Sequence, residues 1–117
     1  MALKVETRIS GDVFILQCEG RIVFGDESAA LRDRVRHMLS GTPKIIVNLE
    51  RVDHIYIVGM GTLVGLWISA KNRGGELMLV SPNKHVNDVL RRTNLDNVFK
   101  LYGSDDEALA AFQKHVA

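Results

Sequence analysis

The sequence predicts an α/β fold, with a mixed and mostly parallel β-sheet of about five strands flanked by four helices. Three observations support this class. The chain opens with two strand patterns joined by a tight turn, strand and helix patterns alternate after them, and two of the later strands are apolar throughout. Such an order builds a sheet that is parallel after its first strand. A length of 117 residues with 46% hydrophobic residues suits one domain spanning residues 1–117.

The opening hairpin follows from alternation along the chain. Residues 3–9 alternate apolar and polar side chains, which is typical of a strand with one buried face. Residues 10–12 are a turn signal, and the run 13–18 gives the second strand. Cys18 is the only cysteine, so an intrachain disulfide is excluded. A packed strand residue is favoured there over a reactive thiol.

Helix and strand patterns then alternate. Acidic residues open a helix over residues 26–39, where the helix dipole favours them. Residues 44–49 form an apolar run typical of a central strand buried on both faces. The next helix, over 61–73, is apolar nearly all round, as in a helix that is deeply buried or keeps one face for a partner. Residues 77–80 give another buried strand.

The remaining patterns complete the order ββαβαβαβα. Ser81 and Pro82 predict the N-cap and first turn of a short third helix, and residues 98–102 predict a last strand. Residues 104–107 form a capping box in front of the final helix. Five apolar residues are expected to be largely buried in this fold: Leu16, Ile46, Val47, Leu63 and Leu79.

Charge and hydropathy exclude several classes of partner. The formal net charge is +1, whereas a nucleic-acid binder usually has a clear basic excess. The densest basic stretch, residues 32–37, contains an aspartate and follows two acidic residues, which favours a solvated helix face. No stretch approaches the ~18 apolar residues of a membrane span, and the first residues lack the apolar core of a signal peptide. We expect a cytoplasmic protein with no nucleic-acid partner and no membrane insertion.

The sequence offers no constellation for catalysis. Residues 59–61 supply half of a dinucleotide fingerprint, but the glycine needed at position 64 is a valine. There is no nucleophile elbow and no P-loop. The histidines are scattered, without a spacing that suggests zinc: His37, His54, His85 and His115. We therefore expect no catalytic residue, no metal site and no cofactor, which favours a binding protein over an enzyme.

Residues 47–63, VNLERVDHIYIVGMGTL, resemble the STAS family, which includes the bacterial anti-sigma-factor antagonists. Those proteins carry Leu-x-x-Val-x-x-Ile and then Asp-Ser-Ser-Gly-Leu-Gly at the start of a helix. Further matches lie at residues 20–22, 31–32, 70–77 and 105–112, so the resemblance covers nearly the whole chain. The residues in step with the central pattern are Leu49, Val52, Ile55, Gly59, Gly61 and Leu63.

The Asp-Ser-Ser triplet is replaced here by residues 56–58, Tyr-Ile-Val. In the family, the second serine is typically the residue that a partner kinase phosphorylates. Val58 stands in its place and has no hydroxyl, so no phospho-acceptor is expected there. The family often carries an aspartate close to this site, and the corresponding position here is Val23. Thr62 is the better substitute acceptor and Ser69 the other nearby hydroxyl.

The resemblance implies a binding module of a partner-switching pathway. Its partner would be an anti-sigma factor that is also a serine kinase with a histidine-kinase-like ATPase fold. The loss of the serine implies a protein that is always competent to bind, or one whose regulation has moved elsewhere. Three alternatives remain open: a scaffold that pairs with another STAS protein, a homodimer, and a STAS subunit of a membrane transporter.

We expect the binding surface on the 56–62 loop and the first turns of the following helix. Strand-to-helix loops normally run over the protein surface, and a cluster of exposed apolar side chains marks a binding site. The residues expected to contact the partner are Tyr56, Ile57, Val58, Gly59, Met60, Gly61 and Thr62.

Overall fold

The computed structural model describes residues 4–22, 43–55 and 57–116, with the backbone alone at residues 21–22, 57–59 and 114–116. The helix predicted over residues 26–39 lies outside the described residues. The strands are β1 (Lys4–Ser10), β2 (Val13–Ile22), β3 (Lys44–Ile55), β4 (Glu76–Val80) and β5 (Lys100–Tyr102). The helices of the described part are α1 (Ile57–Asn72), α2 (Lys84–Arg92) and α3 (Asp105–Val116), with a 3-10 turn at Leu95–Asn97.

The five strands form one sheet in the order β1-β2-β3-β4-β5. Strand β1 pairs with β2 in the antiparallel sense, and all later neighbours are parallel. This confirms the predicted mixed sheet with an antiparallel first strand. In the opening turn, Gly11 has a φ of 61°, a left-handed conformation that glycine adopts without a steric penalty.

Helices cover both faces of the sheet. On one face, α1 and α2 pack over alternate residues of β3 and β4, including Val47 and Leu79. On the other face, α3 packs over the residues between them, including Ile46 and Met78. The five residues predicted to be largely buried are all fully buried, and Cys18 is a packed strand residue as predicted.

Strand β3 is longer than predicted, because the sequence indicated a strand only over residues 44–49. Pairing with β2 continues to Ile22 and Ile55, through two irregularities in register. Val52 and Ile55 are buried although polar residues separate them. Backbone pairing with a long neighbour therefore outweighs the loss of the apolar pattern, and β3 carries the chain directly to the start of α1.

The prediction that Ser81 caps α2 is wrong, because Asn83 is the N-cap. The Asn83 side-chain oxygen accepts a hydrogen bond from the Val86 N–H at 2.8 Å. Ser81 is engaged elsewhere, since its N–H donates to the Tyr102 carbonyl at 2.8 Å and its φ is 51°. The end of β4 is thus tied to β5 before the chain turns into α2.

The last predicted strand and capping box are confirmed in part. Strand β5 begins only at Lys100, because the chain forms the 3-10 turn just before it. The Ser104 hydroxyl accepts the Glu107 N–H at 3.2 Å, as a capping box requires. The Glu107 carboxylate, however, accepts from the Gly103 N–H at 2.9 Å, one residue before the expected partner.

Candidate docking site on helix α1

Helix α1 is held to the sheet by an apolar stripe along its inner face. The stripe recurs every three or four residues, which is the spacing of one helix face. All four of its members are buried in the larger core cluster: Met60, Leu63, Leu66 and Ala70. The stripe fixes which face of α1 points away from the sheet.

The helix begins four residues earlier than the sequence indicated. The sequence predicted a short loop and then a helix from Gly61, but the structure places residues 57–60 in the first turn of α1 as well. Met60 joins the buried stripe with 2% of its surface exposed, and this burial favours the extra helical turn. Met60 therefore belongs to the core and not to an exposed apolar cluster.

For the other residues of the predicted binding set, the structure describes the side chain in some cases and only the backbone in others. Tyr56 lies outside the described residues, and residues 57–59 are described by their backbone alone. Gly61 is exposed and Thr62 is half-buried. The structure thus brings the described members of the set onto one short helical segment, with Met60 turned inward and Gly61 outward.

Glycines and short polar residues dominate the middle of the outer face of α1. Gly61 and Gly65 are both exposed, one helical turn apart. Beyond the chain neighbours and the helix's own backbone, a Cβ built on either glycine would have no atom of the described chain within 4 Å. The Ser69 hydroxyl turns back to the Gly65 carbonyl at 3.0 Å, and Ile68 leaves 46% of its surface exposed. This strip, residues 61–69 on the outer side of α1, is called the outer strip below.

A charged cluster anchors the far end of α1. The Glu76 carboxylate accepts from the Trp67 indole N–H at 3.1 Å and from the Lys71 ammonium at 3.2 Å. It also lies 3.3 Å from the Lys100 ammonium. Burial alone would raise the pKa of Glu76, but the hydrogen bonds from Lys71, Lys100 and the Leu77 N–H outweigh it and lower the pKa. The apolar stripe and this cluster together hold α1 against the sheet, with the outer strip facing away from it.

Glu76→Gln should reduce stability at neutral pH, and the deficit should shrink in acid. Glutamine keeps an acceptor for Trp67 but removes the charge that binds the two lysines. A carboxylate whose folded pKa is lowered contributes stability above its unfolded pKa of about 4.3. That contribution is lost as the pH falls through the lower folded pKa. Urea unfolding of both proteins at several pH values tests this expectation.

The difference between wild type and Glu76→Gln should be constant from neutral pH down to about pH 5, and smaller below the unfolded pKa. Glu50→Gln, which changes an exposed carboxylate outside the lysine cluster, is the matched control and should show no such pH-dependent deficit. A deficit that grows in acid would contradict the assigned pKa direction.

Neither the cysteine nor the metal-ligating side chains of the described residues form a recognisable reactive site. Burial raises the pKa of the Cys18 thiol to about 12, so this thiol stays protonated and unreactive at neutral pH. Within residues 4–22, 43–55 and 57–116, no group of three or more His, Cys, Asp or Glu side chains lies together. What distinguishes the outer strip of α1 is its low surface relief at the two exposed glycines.

A profile of the STAS domain family matches residues 4–108. The chain belongs to the STAS family. A Thermotoga neapolitana protein with the provisional name of anti-sigma factor antagonist is 40% identical to it over 73 residues, which are 62% of this chain and 65% of that protein. The sequence match thus spans just under two thirds of the relative's length.

Solved structures agree with the STAS fold. The crystal structure of a Thermotoga maritima protein with the same provisional name gives a TM-score of 0.80 at 30% identity, covering 92% of both chains. An anti-sigma factor antagonist from Mycobacterium paratuberculosis gives a TM-score of 0.83 at 21% identity, covering 94% of this chain and 93% of that one. In this STAS domain, none of the described helices is long and apolar enough to cross a membrane.

Proposed function

We propose that this STAS domain is an anti-sigma-factor antagonist that acts in the cytoplasm by binding, and not by catalysis. Its partner is an anti-sigma factor and serine kinase with a histidine-kinase-like ATPase fold. The relatives named above support the class of function, and they do not favour the alternative of a transporter subunit. The docking surface we propose is the outer strip of α1 together with the first turn of that helix.

The observation that carries this proposal is the pair of exposed glycines in the outer strip. Glycine inside a helix costs roughly 1 kcal/mol relative to alanine. Packing within the described part of the chain explains neither Gly61 nor Gly65, since beyond the chain neighbours and the helix's own backbone a Cβ at either position would meet no atom within 4 Å. Glycine is favoured where another backbone must approach closely. A partner seated on this strip explains a sequence that is locally unfavourable for the helix.

Regulation is the point at which this chain differs from the family pattern. By that pattern, position 58 is the site of phosphorylation, and it is occupied by valine in the first turn of α1. We propose that this domain is not switched off at that position and stays competent to bind. Thr62, one turn further along and half-buried, is the substitute acceptor if the switch has moved.

Gly65→Ala should stabilise the fold and weaken partner binding at the same time. The new methyl group meets nothing in the described chain, so the gain in helix propensity of roughly 1 kcal/mol should appear in the free energy of unfolding. The same methyl group would hold the partner away from the strip and should lower affinity at least tenfold. Urea unfolding measures the first effect. Calorimetry with the anti-sigma factor captured from the native organism measures the second.

Ala110→Gly provides the reverse control, on an exposed position of α3 away from the strip. It should lower stability by roughly 1 kcal/mol and leave affinity unchanged. A Gly65→Ala protein that is more stable and binds as well as wild type would place the docking surface elsewhere.

A further inference from the structure

Two histidines that are far apart in sequence meet at one end of the sheet. His54 lies next to the last residue of β3, and His85 lies in the first turn of α2. Their ring centroids are 4.7 Å apart, and the ring planes are tilted by 35°, so the rings are not stacked flat. Sequence reasoning missed this pair because its members lie 31 positions apart in the chain.

The backbone around the two rings is fixed by burial and by one bridging side chain. Val52 and Ile55 flank His54 and are buried, as is Val86 next to His85. Asn83 joins the two elements, since its side-chain amide donates to the Val52 carbonyl at 2.8 Å while its oxygen caps α2 through Val86. Ligands carried by such rigid elements are held in place before anything binds.

The imidazole nitrogens are available to a ligand. Both histidines are exposed, and in the described part of the chain neither ring makes a hydrogen bond or an ion pair. Neutral imidazole is a preferred ligand of Zn²⁺ and related divalent ions. Zn–N distances of about 2.0–2.1 Å place the centroids of two adjacent imidazole ligands about 4.5–5.2 Å apart for N–Zn–N angles of roughly 90–110°. The observed separation falls in that range.

We infer that His54 and His85 form a surface site for one divalent transition-metal ion of the Zn²⁺ class. The described part of the chain brings no third His, Cys, Asp or Glu side chain to the pair, so water completes the coordination. The ion bridges the end of β3 to α2, two residues before α1 begins. Because it binds the folded arrangement of the two rings, it stabilises the fold in proportion to the occupancy of the site.

Calorimetric titration with ZnCl₂, and thermal unfolding with and without excess ZnCl₂, test this site. Wild type should bind one ion and melt at a higher temperature in zinc, whereas MgCl₂ should have no effect because Mg²⁺ prefers oxygen ligands. His54→Ala and His85→Ala should each weaken zinc binding at least tenfold and abolish the shift. Both side chains are exposed, so the metal-free variants should melt close to wild type.

The double variant His37→Ala/His115→Ala removes the other two histidines and should bind zinc as wild type does. Zinc binding that survives in both single variants would overturn the proposal. Loss of binding in the double variant alone would also overturn it, as would a wild type that responds equally to ZnCl₂ and MgCl₂. These readouts need no protein partner, so they are independent of the proposed function.

Discussion

Leu63→Ala should lower the free energy of unfolding by about 2–5 kcal/mol. Leu63 is fully buried in the middle of the inner stripe of α1, within the larger core cluster. Its removal leaves a cavity inside that cluster, because the surrounding structure relaxes only in part. Such a cost is a large share of the total stability of a small domain. Urea unfolding followed by circular dichroism measures the change.

Ile68→Ala is the matched control on the same helix. It removes a branched aliphatic side chain that leaves 46% of its surface exposed, and it should change stability by no more than about 0.5 kcal/mol. Equal losses in the two variants would show that α1 does not pack with the orientation described here. The same Ile68→Ala variant can also be assayed for partner binding, because Ile68 lies on the outer strip.

The strands were predictable because their signals are short in range. Alternation over residues 3–9 and the apolar run over 44–49 depend on neighbours two residues apart, so local sequence determines them. The true end of β3 depends on pairing with β2, and Val52 and Ile55 carry no strand pattern of their own. Long-range pairing of this kind is invisible in a single sequence.

The start of α1 shows the same limit at the candidate site. The sequence predicts a loop up to residue 60, yet the helix begins at Ile57 and buries Met60 in the core. The contact between His54 and His85 is harder still to predict from the sequence, because it depends on how α2 packs against the end of β3. The family pattern indicates the segment proposed here for docking, but only the structure separates Met60, which faces the core, from Gly61, which is exposed.

Val58→Asp should weaken binding to the anti-sigma factor at least tenfold, which is near 1.4 kcal/mol, and should leave the fold intact. Position 58 is in the first turn of α1, one turn before Thr62 and about two turns before Gly65. A carboxylate there is compatible with the helix, because the helix dipole favours negative charge in the first turn and that turn has no acidic residue. On a docking surface, the same charge must be desolvated against the partner, which is costly without a counter-charge.

Val58→Asn separates the effect of charge from that of shape, because asparagine has nearly the size of aspartate without its charge. It should bind more tightly than Val58→Asp. Circular dichroism and urea unfolding of both variants verify that the fold is retained.

The most direct test of docking on α1 is a calorimetric comparison of three proteins: wild type, Val58→Asp and Val58→Asn. Each is titrated with the anti-sigma factor that was captured with the wild-type chain. Docking on α1 predicts at least a tenfold loss for the aspartate variant and a smaller loss for the asparagine variant. A folded Val58→Asp protein that binds with wild-type affinity would contradict docking on the first turn and outer strip of α1.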